Sequence, residues 1–134
     1  MSYLFDTNAV IHLMKMDEPL VTRVRAAGPS LIAVSSITLG ELWYGAARSR
    51  HPQRNRIEQD AALAPFRVLD FEASAADRYA AVRAHLAREG QPIGDRDLMI
   101  AAIALANRLI VVTRNLSEFV RVPGLKAEDW MRPR

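Results

Sequence analysis

Asp6, Glu41, Asp95 and Asp97, together with Thr113 and Asn115, are the side chains whose types and placement suit chemistry in this 134-residue sequence. Three or more carboxylates gathered in one place repel one another and raise each other's pKa unless a cation neutralises them. Hard oxygen donors without a histidine or cysteine partner select Mg²⁺ or Mn²⁺. An ion held that way lowers the pKa of a bound water and stabilises charge on phosphate oxygens, which is the chemistry of metal-assisted phosphodiester hydrolysis. The three histidines, His12, His51 and His85, lie in separate segments and give no metal-ligand spacing. No phosphate-binding glycine loop and no serine-nucleophile elbow is present.

Each of these residues also has a purely structural reading. Asp6-Thr7-Asn8 is good turn and helix-cap chemistry. Thr38-x-x-Glu41 fits a capping box, with Thr38 as the cap. Asp95 and Asp97 open a helix, where the dipole favours anions in any protein. Asn115 can make a turn after a strand. What favours chemistry is the place they share, and that place depends on the elements around them.

Short apolar runs alternate with helical stretches. Tyr3-Leu4-Phe5 ends at Asp6 and is followed by a helical stretch through Ile11 and Leu13. Leu31-Ile32-Ala33-Val34, bounded by Gly28-Pro29 and Ser35-Ser36, reads as a second strand, with a helix from about Ile37 to Ala47. Phe66-Arg67-Val68-Leu69 reads as a third strand. Next comes a helix with Ser74 as its cap, Asp77 at the reciprocal position and Gly90 just past its end. An alanine-rich helix over Asp95 to Asn107 leads into Leu109-Ile110-Val111-Val112-Thr113, the plainest strand. Strands alternating with helices predict right-handed crossovers and an α/β fold, a mainly parallel sheet covered on both faces. The crevice of such a sheet lies beyond the carboxyl ends of its strands. Asp6, Glu41, Asp95, Asp97, Thr113 and Asn115 are all predicted to reach that edge. Ile100, Ala101 and Ala104 share a helix face with Asp97, which marks that face as inward and the acid as the lip of a cleft.

Composition bounds the rest. The length suits one domain, 1–134, that buries ~two-thirds of the unfolded chain's surface. Half the residues are hydrophobic and a quarter charged, an ordinary globular balance, and without cysteine there is neither a disulfide framework nor a thiolate zinc site. No run of 18 apolar residues occurs and the first six residues lack a basic region, so the expectation is a cytoplasmic protein with no membrane association. Of 18 basic residues only Lys15 and Lys126 are lysine. Arginine's fork suits phosphate, and Arg48, Arg50, Arg54 and Arg56 fall within nine residues that contain no acid. That stretch follows a predicted helix end and is expected to be a mobile, phosphate-gripping loop. Trp43, Tyr44 and Trp130 are able to stack on bases, but core packing is the commoner role of aromatics at helical spacing.

The motifs resemble those of a known family. Leu4-Phe5-Asp6-Thr7-Asn8 is similar to the opening of PIN-domain nucleases, and Ser36-Ile37-Thr38-Leu39-Gly40-Glu41-Leu42-Trp43-Tyr44-Gly45 to their second motif. The segment from Pro92 through Gly94-Asp95-Arg96-Asp97 to Ala102 resembles the third, and Val112-Thr113-Arg114-Asn115-Leu116-Ser117-Glu118-Phe119 the fourth. The tail from Arg121 to Leu125, with Glu128-Asp129-Trp130, resembles VapC-type toxins in particular. The resemblance implies a Mg²⁺- or Mn²⁺-dependent ribonuclease that is the toxin of a toxin–antitoxin pair, usually dimeric, with a cognate antitoxin and an RNA substrate. It also implies that Asp6 and Asp97 ligate the metal and that Glu41 is the third acid, with Thr113 and Asn115 lining the site and Asn8 supporting it. Some PIN nucleases carry a fourth acid where this chain has Asn115, and Asp95 is the candidate to compensate. The rival readings are a non-catalytic RNA-binding module and a small-molecule phosphohydrolase.

Overall fold

The computed structural model describes residues 1–132. Five strands form one wholly parallel sheet: β1 (Tyr3–Phe5), β2 (Ile32–Ser35), β3 (Arg67–Leu69), β4 (Ile110–Val112) and β5 (Ala127–Glu128), in the order β3-β2-β1-β4-β5. Seven helices connect them: α1 (Thr7–Met14), α2 (Glu18–Ala27), α3 (Ser36–Ala47), α4 (Pro52–Leu63), α5 (Ala73–Arg88), α6 (Asp95–Asn107) and α7 (Leu116–Phe119). The α/β expectation is borne out. Phe5 pairs with Val34 on one side and Val112 on the other, so the residues that follow, Asp6, Ser35 and Thr113, emerge side by side at the carboxyl edge.

Alternate strand residues face opposite sides of the sheet and build two cores. Leu4, Ala33 and Val111 pack under α5 and α6, against Val82, Leu86, Ile100 and Ile103. Phe5, Val34 and Val112 pack on the other side with Val10, Leu20, Leu42, Leu63 and Trp130. Phe5 meets Trp130 edge-on, with ring centroids 5.6 Å apart. The inward face predicted for α6 is confirmed, because Ile100, Ala101 and Ala104 are fully buried.

Local differences from the sequence reading have physical causes. Strand β2 starts one residue late because Leu31 closes a 3-10 turn after Gly28, whose φ of 90° only glycine adopts without strain. Strand β3 is an exposed edge rather than a buried strand. Glu72, not Ser74, occupies the cap of α5, and no side chain caps that helix, which packs along α6. The arginine stretch is not a loop. A four-residue turn, 48–51, joins α3 to α4, so Arg54 and Arg56 are helical, and the Gln59 side chain donates to Leu42 O at 2.9 Å, stitching α4 to α3.

Candidate active site

Asp6 leaves the central strand and caps α1, its Oδ1 accepting from Ala9 N at 2.8 Å. Capping and chemistry prove compatible, since the helix start that Asp6 caps also holds it at the sheet edge. Thr113, the residue after β4, is fully buried and its side chain hydrogen-bonds Asp6. Glu41 is not part of a capping box. Ser35 caps α3 by accepting from Thr38 N at 3.1 Å, which leaves Glu41 one turn further on and free to face the crevice. There Thr7 donates to Glu41 Oε1 at 2.6 Å and Arg96 Nε donates to Oε2 at 2.9 Å. Asp97 stands in the first turn of α6, where the N-terminal partial charge favours an anion.

A fourth acid joins them. Glu118, on α7, hydrogen-bonds Asp97, and the negative charges that act on Asp97 are those of Asp6, Glu118 and Glu41. Burial first, then the shared hydrogen bond with Glu118, then those three charges push the Asp97 carboxyl up to about 6. Burial also raises Asp6, with a smaller push from Glu41, against the lowering effect of its bonds to Thr113 and Ala9 and of nearby His12. Carboxyls from four distant segments therefore feel one another at the carboxyl edge of the sheet.

The other candidates are placed differently. Asp95 points to α5, its Oδ1 3.5 Å from the Tyr79 hydroxyl, and takes no part in raising Asp97. Asn115 donates its backbone N–H to Thr113 Oγ1 at 2.8 Å, while its side chain meets Ser117 rather than an acid. Asn8 is exposed, and it is Thr7 beside it that bonds Glu41. Arg48, Arg50 and Arg54 are exposed and have no ion-pair partner among the described residues, whereas Arg56 stacks 3.7 Å from the Trp43 ring centroid and pairs with Asp60. Trp130 is core, as expected, but Tyr44 is 68% exposed. Sequence reasoning passed over Thr7, Arg96 and Glu118. Asn115-Leu-Ser-Glu118 reads as a helix start with an acid at its third position, so nothing local separates a ligand from a cap.

Among the described residues, no three acidic or histidine side chains stand close enough to ligate one ion as they are. Both Glu41 oxygens are engaged by Thr7 and Arg96, and one oxygen of Asp6 by Ala9. The donor set nevertheless suits a hard divalent cation. It is all oxygen, and two of its acids are held above their ordinary pKa by burial and mutual repulsion that a cation would relieve. A groove of about 590 Å³ opens beside Glu41, lined by Thr7, Tyr44, Arg48, Arg96 and Met99 among others. A separate cavity of about 400 Å³ at the opposite edge, with Arg78, Arg108 and Lys126 in its wall, contains none of the acids.

Comparison with known proteins agrees with the fold and its motifs. The sequence profile of the PIN domain matches residues 3–125. The chain is 40% identical over 130 residues to the tRNA(fMet)-specific endonuclease VapC of Salmonella typhimurium, covering 97% of this chain and 98% of that protein. Among solved structures, the DNA-bound VapBC complex of Salmonella typhimurium superposes with a TM-score of 0.91 at 41% identity, covering 97% of this chain and 98% of that one. VapBC2 from Rickettsia felis, bound to a DNA fragment from its promoter, also gives 0.91, at 33% identity, over 97% of this chain and 99% of that one.

Proposed function

Because the chain belongs to the PIN-domain family, we propose that it is an endoribonuclease that acts as the toxin of a toxin–antitoxin pair, working in the cytoplasm with Mg²⁺ or Mn²⁺. The whole chain, 1–134, serves as one catalytic domain. Its partners are RNA, a cognate antitoxin and a second copy of itself. Among the described residues, no helix is long and apolar enough to cross a membrane. The observation that carries the reading is the meeting of Asp6, Glu41, Asp97 and Glu118 at one sheet edge, where burial first, and then the neighbouring acids, push the Asp97 carboxyl up to about 6.

Asp6 and Asp97 would hold the cation, Thr113 fixing the Asp6 carboxyl through its hydrogen bond. When bound, the ion stabilises charge on the phosphate and lowers the pKa of the attacking water. Glu41 and Glu118, the remaining carboxylates, would orient that water and accept its proton. Water's oxygen forms the new bond to phosphorus as the P–O3′ bond breaks, leaving a 5′-phosphate and a 3′-hydroxyl that takes up a proton. Arg96 must leave Glu41 for that acid to act; its side chain is 70% exposed, so water receives the released guanidinium.

Incubation of the purified protein with initiator tRNA and with total RNA, with Mn²⁺ or with EDTA and beside an Asp6→Asn control, tests the reading. Cut ends that bear 5′-phosphates, disappear with EDTA and are absent from the control support it. RNA binding without metal-dependent cleavage would leave a non-catalytic RNA-binding module.

A further inference from the structure

Glu41 and Tyr44 lie at i and i+3 on one face of α3, and Arg48, the cap residue that closes the helix, follows at i+7; all three are in the wall of the groove. The rise from Glu41 to Arg48 is about 10 Å, comparable to a nucleotide with the phosphates on either side of it. Tyr44 keeps 68% of its surface exposed, although its neighbours Leu42 and Ala46 are buried. An exposed ring adds little to the core, so its place beside Glu41 needs another account. Arg48 sits 5.5 Å from the ring centroid and has no ion-pair partner among the described residues. Across the groove Arg96 uses only Nε on Glu41, so both Nη groups are available to an anion. Gly40 and Gly45 edge the same groove, and a Cβ at either would meet open space within 4 Å, so the groove is roomy along the helix.

Resting on the ribonuclease reading, we propose that this groove is the subsite for one nucleotide of the RNA next to the scissile phosphate. Tyr44 stacks on its base, and Arg48 and Arg96 grip the adjoining phosphates. An aromatic face accepts any base, and flanking arginines track the backbone, the usual composition of a single-strand site. The groove's volume of about 590 Å³ suits one unstacked nucleotide rather than a duplex.

The test uses the full chain and a fluorescent single-stranded RNA containing a mapped cleavage site. Binding is followed by anisotropy in EDTA, and cleavage separately with Mn²⁺. Tyr44→Ala is expected to weaken binding about ten-fold and to raise KM more than it lowers kcat, while Tyr44→Phe recovers most of that loss. An RNA lacking the base beside the cleavage site should bind the wild type about ten-fold more weakly and Tyr44→Ala no more weakly than intact RNA. Equal losses in both proteins would show that Tyr44 does not touch that base and overturn the subsite, with the nuclease reading intact. So would a Tyr44→Ala protein that binds RNA normally but has lost affinity for the antitoxin, since the ring would then belong to the protein partner. Failure of the wild type to bind or cut any RNA would overturn the nuclease reading and the subsite together.

Discussion

Replacing Asp97 with asparagine should make the metal-free protein more stable while abolishing cleavage. In the folded state the Asp97 carboxyl titrates at about 6, against an ordinary value of 3.8. A raised carboxyl contributes stability that is fully present below 3.8 and is lost as pH rises through about 6. The gap corresponds to at most about 3 kcal/mol at neutral pH. Asp97 is only half-buried, and solvent screening reduces this to about 1–2 kcal/mol. Asparagine keeps the shape without the charge, so Asp97→Asn should melt roughly 3–8 °C above wild type at pH 8 in EDTA. The difference should shrink to nothing near pH 4, and saturating Mn²⁺ should stabilise the wild type but not the variant. Melting curves from pH 4 to 8, with and without metal, are the assay. A variant less stable than wild type at pH 8, or a gap that does not change with pH, would refute a carboxyl raised by burial and by the acids around it.

Further outcomes follow from the same geometry. Glu118→Gln should lower kcat about 100-fold or more and bring the Asp97 titration, read by carboxyl NMR without metal, below about 6, because the proton shared between them is gone. Apparent Mn²⁺ affinity of the wild type should fall about ten-fold per pH unit below pH 6, as protons compete for the raised Asp97 carboxyl; titration calorimetry at pH 5 and 7 measures it. Arg50→Glu with Arg54→Glu should weaken RNA binding and reduce its salt slope by about two, whereas Arg56→Glu should mainly lower the melting temperature, since Arg56 is committed to Trp43 and Asp60. Phe5→Ala should cost about 3–5 kcal/mol, seen in urea denaturation, because that ring joins Phe66 and Trp130 in the core beneath the site.

The sequence was most legible where one local rule decides the outcome. Apolar runs ended by polar residues marked β1, β2 and β4, and the alanine-rich helix from Asp95 to Asn107 has the bounds its pattern predicts. Helices α2, α4 and α7 and strand β5 went unread, because α4 buries only Gln59 and Leu63 and β5 is two residues long, too little apolar pattern to register. At the site, Asp6 and Thr113 were legible from their position directly after strands, Glu41 from the early turns of the helix after β2, and Asp97 from the first turn of the alanine-rich helix. Glu118 and Arg96 were not, since what distinguishes them is a partner across the crevice, and no spacing rule connects residue 41 to 96 or 97 to 118. Asp95 shows the converse: two places along a helix, it turns to another neighbour.

The strand at the middle of the sheet, Tyr3–Phe5, has as one of its two neighbours Ile110–Val112, a segment more than a hundred residues away. During synthesis Asp6 must wait for the more than one hundred residues that separate it from Thr113 and Glu118 before they can join it. Closing so long a loop makes assembly late and cooperative. Nascent chains should therefore be harmless to the RNA around them, and truncation anywhere before β4 should yield a protein that neither folds nor cuts.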